Sequence, residues 1–176
     1  MGKQMKEIIK AFKQKDYTSF DQFYEMTNRQ VYYAIIQIVK DDEIAKDLMQ
    51  EVYMTFLNKI DQFKIDGNVY AYLSMMGRNS SINYYHKQKR EVHSDELLDM
   101  IESDEGVNEY DDTDDILSLL NLLNKDQREV VVLHTINNLK FKEVAEIMDK
   151  PLGTVLWLHR EAINILKTKV GDWYEK

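Results

Sequence analysis

The chain has 176 residues, of which 44% are hydrophobic, with one proline, six glycines and no cysteine. That length and hydrophobic content fit one ordinary folded unit or two small ones and exclude wholesale disorder. The missing cysteine excludes a disulfide framework and a thiolate metal site, while the net charge of -8 runs against the cations that a DNA binder needs.

The charge is unevenly spread. Residues 91–115 hold twelve Asp and Glu and no Lys or Arg; residues 1–90 hold fourteen basic and eleven acidic side chains, and residues 116–176 nine and eight. The acidity is confined to one segment, and neither flanking block is acidic. No apolar run approaches the roughly 18 residues that cross a bilayer, so a protein of the cytoplasm, without a membrane segment, is expected. Sparse Gly and Pro and long periodic stretches point to helices joined by short loops.

In chain order, Lys6–Lys13 predicts a short helix. Thr18 or Ser19 is suited to cap the next, where Phe20, Phe23, Tyr24, Val31, Ile35 and Ile38 recur at helical spacing. Asp41-Asp42 opens a third helix with acids favoured at its N-terminus, and Ala45, Leu48, Met49, Val52, Phe56 and Ile60 form its apolar stripe. A loop at Phe63–Asn68 containing Gly67 precedes a fourth helix from Val69 to about Lys89. Its inward stripe is read as Tyr72, Leu73, Met76, Ser80 and Tyr84; Arg78, Tyr85 and Lys89 face away, with Asn79 and Asn83 on the flank.

The acidic run from Glu91 to Asp115 reads as a solvated, flexible linker, with a short amphipathic turn around Leu97, Leu98 and Ile101. Beyond it, helices are predicted over Asp115–Leu123, Asp126–Ile136, Phe141–Met148 and Leu152–Val170, with Asp126 and Glu129 at capping-box spacing. Phe141, Val144, Ala145 and Ile147 give a short amphipathic helix that Asp149-Lys150-Pro151 stops. Thr154 can cap a second, whose buried face is Val155, Leu158, Ala162, Ile165 and Leu166. The pattern alone fits a helix-turn-helix or an ordinary helical hairpin.

A resemblance separates the two. Glu143-Val144-Ala145-Glu146-Ile147-Met148 followed by Pro151-Leu152-Gly153-Thr154-Val155 resembles region 4 of the extracytoplasmic-function sigma factors, and Leu123–Leu133 is similar to its lead-in helix. The resemblance implies a helix-turn-helix whose second helix reads the -35 promoter element in the major groove. Thr154, Leu156, Trp157 and Arg160 are then the DNA -35 candidates. Where the family has basic or small polar residues after Gly-Thr-Val, this chain has Leu156, Trp157 and Leu158. Trp157 points outward and can meet thymine methyls, sugar or a protein partner. Arg160 is a base reader or a solvated cation.

Asp42–Tyr53 resembles region 2.2 of the same family, the most specific motif in the chain. Asp47, Gln50 and Glu51 are spaced three and four apart and share a face. Alone they read as a solvated face. The resemblance implies that this face, with Leu48, docks on core RNA polymerase. Val69–Arg90 resembles regions 2.3 and 2.4, which implies capture of the opened -10 strand by Asn68, Arg78, Asn79, Asn83, Tyr85, Lys87, Lys89 and Arg90, with Phe63–Asn68 as the base-holding loop. Cations there track phosphate while amides and rings hold an unstacked base. Tyr72 and Tyr84 read as core, and Tyr85 as either.

No phosphate-binding glycine loop is present, and His86, His93, His134 and His159 lack metal-site spacing, with His159 read as a packed histidine. No catalytic residue, metal or cofactor is therefore expected. The expected architecture is all-α: two small helical domains, 1–90 and 116–176, joined by the acidic flexible linker 91–115, the second containing a helix-turn-helix. The function implied is that of an alternative sigma factor, not an enzyme, with core RNA polymerase, promoter DNA and an anti-sigma protein as partners. The alternatives are a sigma-like adaptor or decoy that binds polymerase or a regulator without reading promoters, which Leu156-Trp157-Leu158 motivates, and a plain helix-turn-helix repressor, which the docking motif disfavours.

Overall fold

The computed structural model describes residues 2–91 and 115–174, with side chains to Gln88 in the first stretch and to Lys169 in the second. The solvated linker expected between the two stretches, with its turn at Leu97, Leu98 and Ile101, lies outside the described residues except for its end residues Glu91 and Asp115, which are helical; the side chains of Lys89 and Arg90 also lie outside them. The described residues are helical throughout, apart from turns and short loops.

The first helix, α1, spans Gly2–Lys13 and starts four residues earlier than the sequence reading. Met5 belongs to its apolar stripe with Ile8, Ile9 and Phe12, all buried. Thr18 does not cap α2: its hydroxyl and backbone N–H donate to Asp16 Oδ1 at 2.7 and 3.0 Å. Ser19 holds the cap position of α2 (Phe20–Val39) without a side-chain bond. Phe23, Val31 and Ile35 are buried as expected, but Tyr24 is exposed and Ile38 half-buried. Thr27, Tyr33, Ala34, Ile36, Gln37 and Val39 are buried instead, because α2 is the central helix and is covered on more than one side.

Asp41 caps α3 (Asp42–Asn58), its Oδ1 accepting from the Ile44 N–H at 2.9 Å. The predicted stripe Ala45, Leu48, Met49, Val52 and Phe56 is buried, and Ile60 follows in a 3-10 turn at Ile60–Gln62. Phe56 stacks on Phe23 with centroids 5.3 Å apart, and Phe12 and Tyr53 meet Phe23 edge-on at 5.2 and 6.0 Å. These rings bind α1, α2 and α3 into one core.

Helix α4 (Val69–Glu91) packs along α2 through Leu73, Ser74, Gly77 and Ser81, all buried. Of the inward stripe read from sequence only Leu73 is buried; Tyr72, Met76, Ser80 and Tyr84 are half-buried. The contact follows the small residues because they let two helix backbones approach closely. A Cβ on Gly77 would stand 3.0 Å from Ile35 Cγ1.

After the acidic segment, α5 (Asp115–Leu120) ends three residues sooner than expected. The next helix, α6, covers Lys125–Val131 and continues as a π-helical turn over Val132–Ile136, where Asn137 N–H reaches Val132 O at 2.9 Å. Its capping box is Asn124 with Gln127, at 3.0 and 3.3 Å, not Asp126 with Glu129. Glu129 is drawn elsewhere, as shown below, and Asp126 pairs with Lys150 at 2.9 Å. Then come α7 (Phe141–Met148), closed by Asp149 in the left-handed region, and α8 (Leu152–Tyr174). Because α8 begins at Leu152, Thr154 lies inside its first turn and is not its cap.

The two helical blocks share a core. Leu117, Leu120, Leu123, Val131, Val132 and Ala162 are buried in one cluster with the apolar residues of α1–α4. A second cluster, Val130, Leu133, Leu139, Val144, Met148, Val155 and Leu158, belongs to the C-terminal block, and Tyr70 and Ala71 of α4 pack against it.

Candidate functional site

Three surfaces hold the residues singled out in the sequence. On α3, Asp47, Gln50 and Glu51 are all exposed and lie one turn apart. Leu48 does not join them: it is 6% exposed and supports the face from inside the core. Met54, which sequence reasoning passed over, is 62% exposed. It follows Gln50 by four residues and Glu51 by three, so the spacing that grouped the polar residues also assigns this methionine to their face. The surface is thus a polar and acidic patch with one apolar contact, suited to a basic helical partner.

The second surface is the 63–68 loop with α4. Gly67 has no room for a side chain, since a Cβ there would lie 2.9 Å from Lys64 O and 3.2 Å from the Phe63 ring. The tight loop lines a shallow, mainly apolar cleft between Phe63, Ile65 and Asn68 on one side and Met5 and Ile9 of α1 on the other. Asn68 is the N-cap of α4: its Oδ1 accepts from the N–H groups of Tyr70 and Ala71 at 3.1 and 3.3 Å. Its Nδ2 donates to Glu143 Oε1 at 2.7 Å.

Further along α4, Asn79, Asn83 and Lys87 are exposed. Arg78 is not free: its side chain is 22% exposed and its Nε pairs with Glu129 Oε1. Tyr85, left open as base platform or core, donates its hydroxyl to the Ile38 and Val39 carbonyls, 3.1 Å from each. Burial pushes its phenol above the ordinary value, with Tyr84 and Asp41 adding to the shift. Its hydroxyl therefore ties α4 to the end of α2. Tyr72 packs on Phe63 and Phe56 as core.

The third surface is the start of α8. Val155 and Leu158 are buried, which turns Thr154, Leu156, Trp157 and Arg160 to solvent along one side. Trp157 is 52% exposed. Arg160 lies 3.7 Å from its neighbour Glu161, too loose to hold it. Below this face His159 meets His134 edge-on at 4.9 Å, and His134 stacks on Phe141 at 3.7 Å. His159 is thus a packed histidine, and among the described residues no cluster of three metal-ligating side chains occurs.

The three surfaces lie on different helices, yet polar bonds join the blocks that carry them. Besides Asn68–Glu143 and Arg78–Glu129, Asn137 Nδ2 donates to Gln30 O at 3.0 Å and to Ser74 Oγ at 2.9 Å, and Arg128 Nη1 to Gln37 O at 3.5 Å. Glu129 is 5% exposed, and burial pushes its carboxyl above the usual range against the opposing pull of Arg78. None of these inter-block pairs was visible in the sequence, since each depends on how the blocks dock.

The described residues thus combine a helix-turn-helix with a helical block that carries an exposed polar and acidic face. The sigma-70 region 2 family model matches residues 23–91, and the sigma-70 region 4 model residues 113–155. The chain is 27% identical over 135 residues to the ECF RNA polymerase sigma factor SigM of Bacillus subtilis, covering 74% of this chain and 82% of that one. It is 24% identical over 163 residues to SigX of the same organism, covering 85% and 82%. Its fold matches that of the sigma factor RpoE of Bartonella quintana, solved in complex with the anti-sigma factor NepR, with a TM-score of 0.66, 24% identity and coverage of 86% and 96%. The chain belongs to the extracytoplasmic-function sigma factors of the sigma-70 family. It is a noncatalytic subunit that directs core RNA polymerase to promoter DNA. No described helix is long and apolar enough to cross a membrane.

Proposed function

We propose that the three surfaces divide the work of initiation. Asp47, Gln50, Glu51 and Met54 dock on core polymerase. The 63–68 loop with Asn68, Arg78, Asn79, Asn83, Lys87, Lys89 and Arg90 holds the opened -10 strand. Thr154, Leu156, Trp157 and Arg160 meet the -35 element. On this reading residues 1–90 and 116–176 are the working units and 91–115 their tether, which raises the effective concentration of each DNA contact once the other is made. The setting is the cytoplasm, where core polymerase is held, and an anti-sigma protein is the expected negative regulator.

The observation that carries this reading is the exposed polar face of α3 in the same chain as a helix-turn-helix whose second helix turns four candidate contacts to solvent. The exposed Leu156 and Trp157 favour a second reading, an adaptor or decoy that uses this apolar patch on a protein. Run-off transcription with core polymerase and genomic DNA decides between them. Promoter-directed initiation yields new start sites that depend on the added chain. A decoy yields none, and that outcome would remove the initiating role.

A further inference from the structure

We propose that Leu156 and Trp157 read the C5-methyl groups of thymines in the upstream promoter element, so that this chain selects A·T pairs there by apolar contact. The inference deepens the reading of α8 as the -35 contact and rests on it.

The rotation of α8 is fixed from below. Val155 and Leu158 are buried in one cluster with Val144 and Met148 of α7, and the His159 ring meets Phe141 at 5.1 Å. In the apolar run Val155–Leu158 the first and last side chains therefore face inward and the middle two outward. Leu156 is 45% exposed and Trp157 52%. Leu152, about one turn before Leu156, is exposed as well. Arg160 and Lys167 continue the same side of the helix, both exposed. No acidic residue occurs between Leu152 and Arg160, so this stretch itself carries no charge that repels phosphate.

The second helix of a helix-turn-helix brings its first turns to the base edges of the major groove. Donors and acceptors displayed there suit amides and cations, and the thymine methyl is the apolar group among them. A leucine pressed on a G·C edge strands the cytosine amino group and the guanine oxygen without water or partner, a cost that an A·T pair presenting its methyl lowers. Trp157 adds a broad apolar ring with one donor, its indole N–H, which suits the thymine O4 beside the methyl. Arg160 stands one turn beyond Leu156, and its 3.7 Å approach to Glu161 is too loose to hold it, which leaves the guanidinium for phosphate. An apolar pair flanked by cations complements a methyl-bearing edge set between phosphate backbones.

The test uses the full-length chain with core polymerase and two duplex pools randomised over about twelve base pairs, slightly more than one turn of DNA. One pool is made with thymine and the other with uracil, which lacks only the methyl. Complexes are captured through a tag on the chain and the recovered duplexes are sequenced. Wild type should enrich A·T-containing sites from the thymine pool, and uracil in a recovered site should weaken binding about fourfold for each methyl contacted. Leu156→Ala with Trp157→Ala should bind thymine and uracil forms of that site within about twofold of each other, with unchanged helicity by circular dichroism. Arg160→Ala should weaken both forms alike, flatten the salt dependence and keep the methyl preference.

Equal affinity of wild type for the two forms overturns the proposal, as does a thymine pool from which no sequence is enriched. A methyl preference that survives in the double-alanine variant places the reader elsewhere and overturns it too. If that variant instead loses core polymerase while its DNA binding is unchanged, the patch belongs to a protein partner and the proposal falls. Failure here is separable from failure of the functional reading. A chain that initiates in run-off transcription yet ignores the methyl lacks this readout, whereas one that prefers thymine through Leu156 and Trp157 without yielding start sites has the readout but not the initiating role.

Discussion

At the scale of single residues, burial decides what each polar group can do. Asn68 spends its side-chain oxygen on capping α4 and one N–H of its amide on Glu143, so both polar atoms of the side chain are engaged. His159 shows the same constraint through its charge. Burial lowers its imidazole below the ordinary value of 6.5, and His134 lowers it further. A depressed base favours the neutral folded form, so its stabilisation is complete above 6.5 and is lost as pH falls from there through the lowered folded value. The thermal midpoint should therefore drop between about pH 7.5 and pH 5.5, and His159→Gln should flatten that drop. An equal drop in the variant would place the titrating group elsewhere.

At the scale of elements, α3 was the most legible part of the chain. Its apolar stripe, its start at Asp41-Asp42 and its exposed acidic face follow from helical period and from where acids are favoured; that Asp41 is the cap itself came from the structure. Glu51→Lys should lower affinity for core polymerase about tenfold or more, and Met54→Ala about threefold, with helicity intact in both. Affinity equal to wild type in a labelled-core titration would show that this face does not dock. Helix α4 was less legible. Its aromatic and Met positions suggested the inward stripe, but Ser74, Gly77 and Ser81 make the contact, because closeness of backbones outweighed side-chain hydrophobicity there. The cap of α6 was misread for a related reason: Asp126 and Glu129 have the right spacing, but tertiary partners claim both, and Asn124 with Gln127 serves the helix end. Period and composition report a helix's own faces; they are silent on which neighbour competes for a given carboxylate.

At the scale of the whole molecule, the all-helical class and the helix-turn-helix were readable from motif and spacing, and the docking of the blocks was not. Leu117, Leu120, Leu123, Val131, Val132 and Ala162 share one buried cluster with α1–α4. Chains with a common core melt together. Thermal unfolding of the free protein should give a single transition, with calorimetric and van't Hoff enthalpies equal. Two resolved transitions would mean that the shared cluster contributes too little to couple the blocks.

The π-helical turn at Val132–Ile136 makes that docking depend on chain length as well as on side-chain identity. Such a turn holds one residue more than an α-helix of the same rise. Asn137, just beyond it, points at Ser74 and Gln30 only because that extra residue is present. A sequence shortened by one position here would regain ordinary helical bonding and swing the asparagine about 100° around the axis, away from both acceptors. Among descendants of this gene, a single-codon deletion in that stretch would loosen the packing of the two blocks while leaving every contact residue intact, a change that comparison of residue identities alone would overlook.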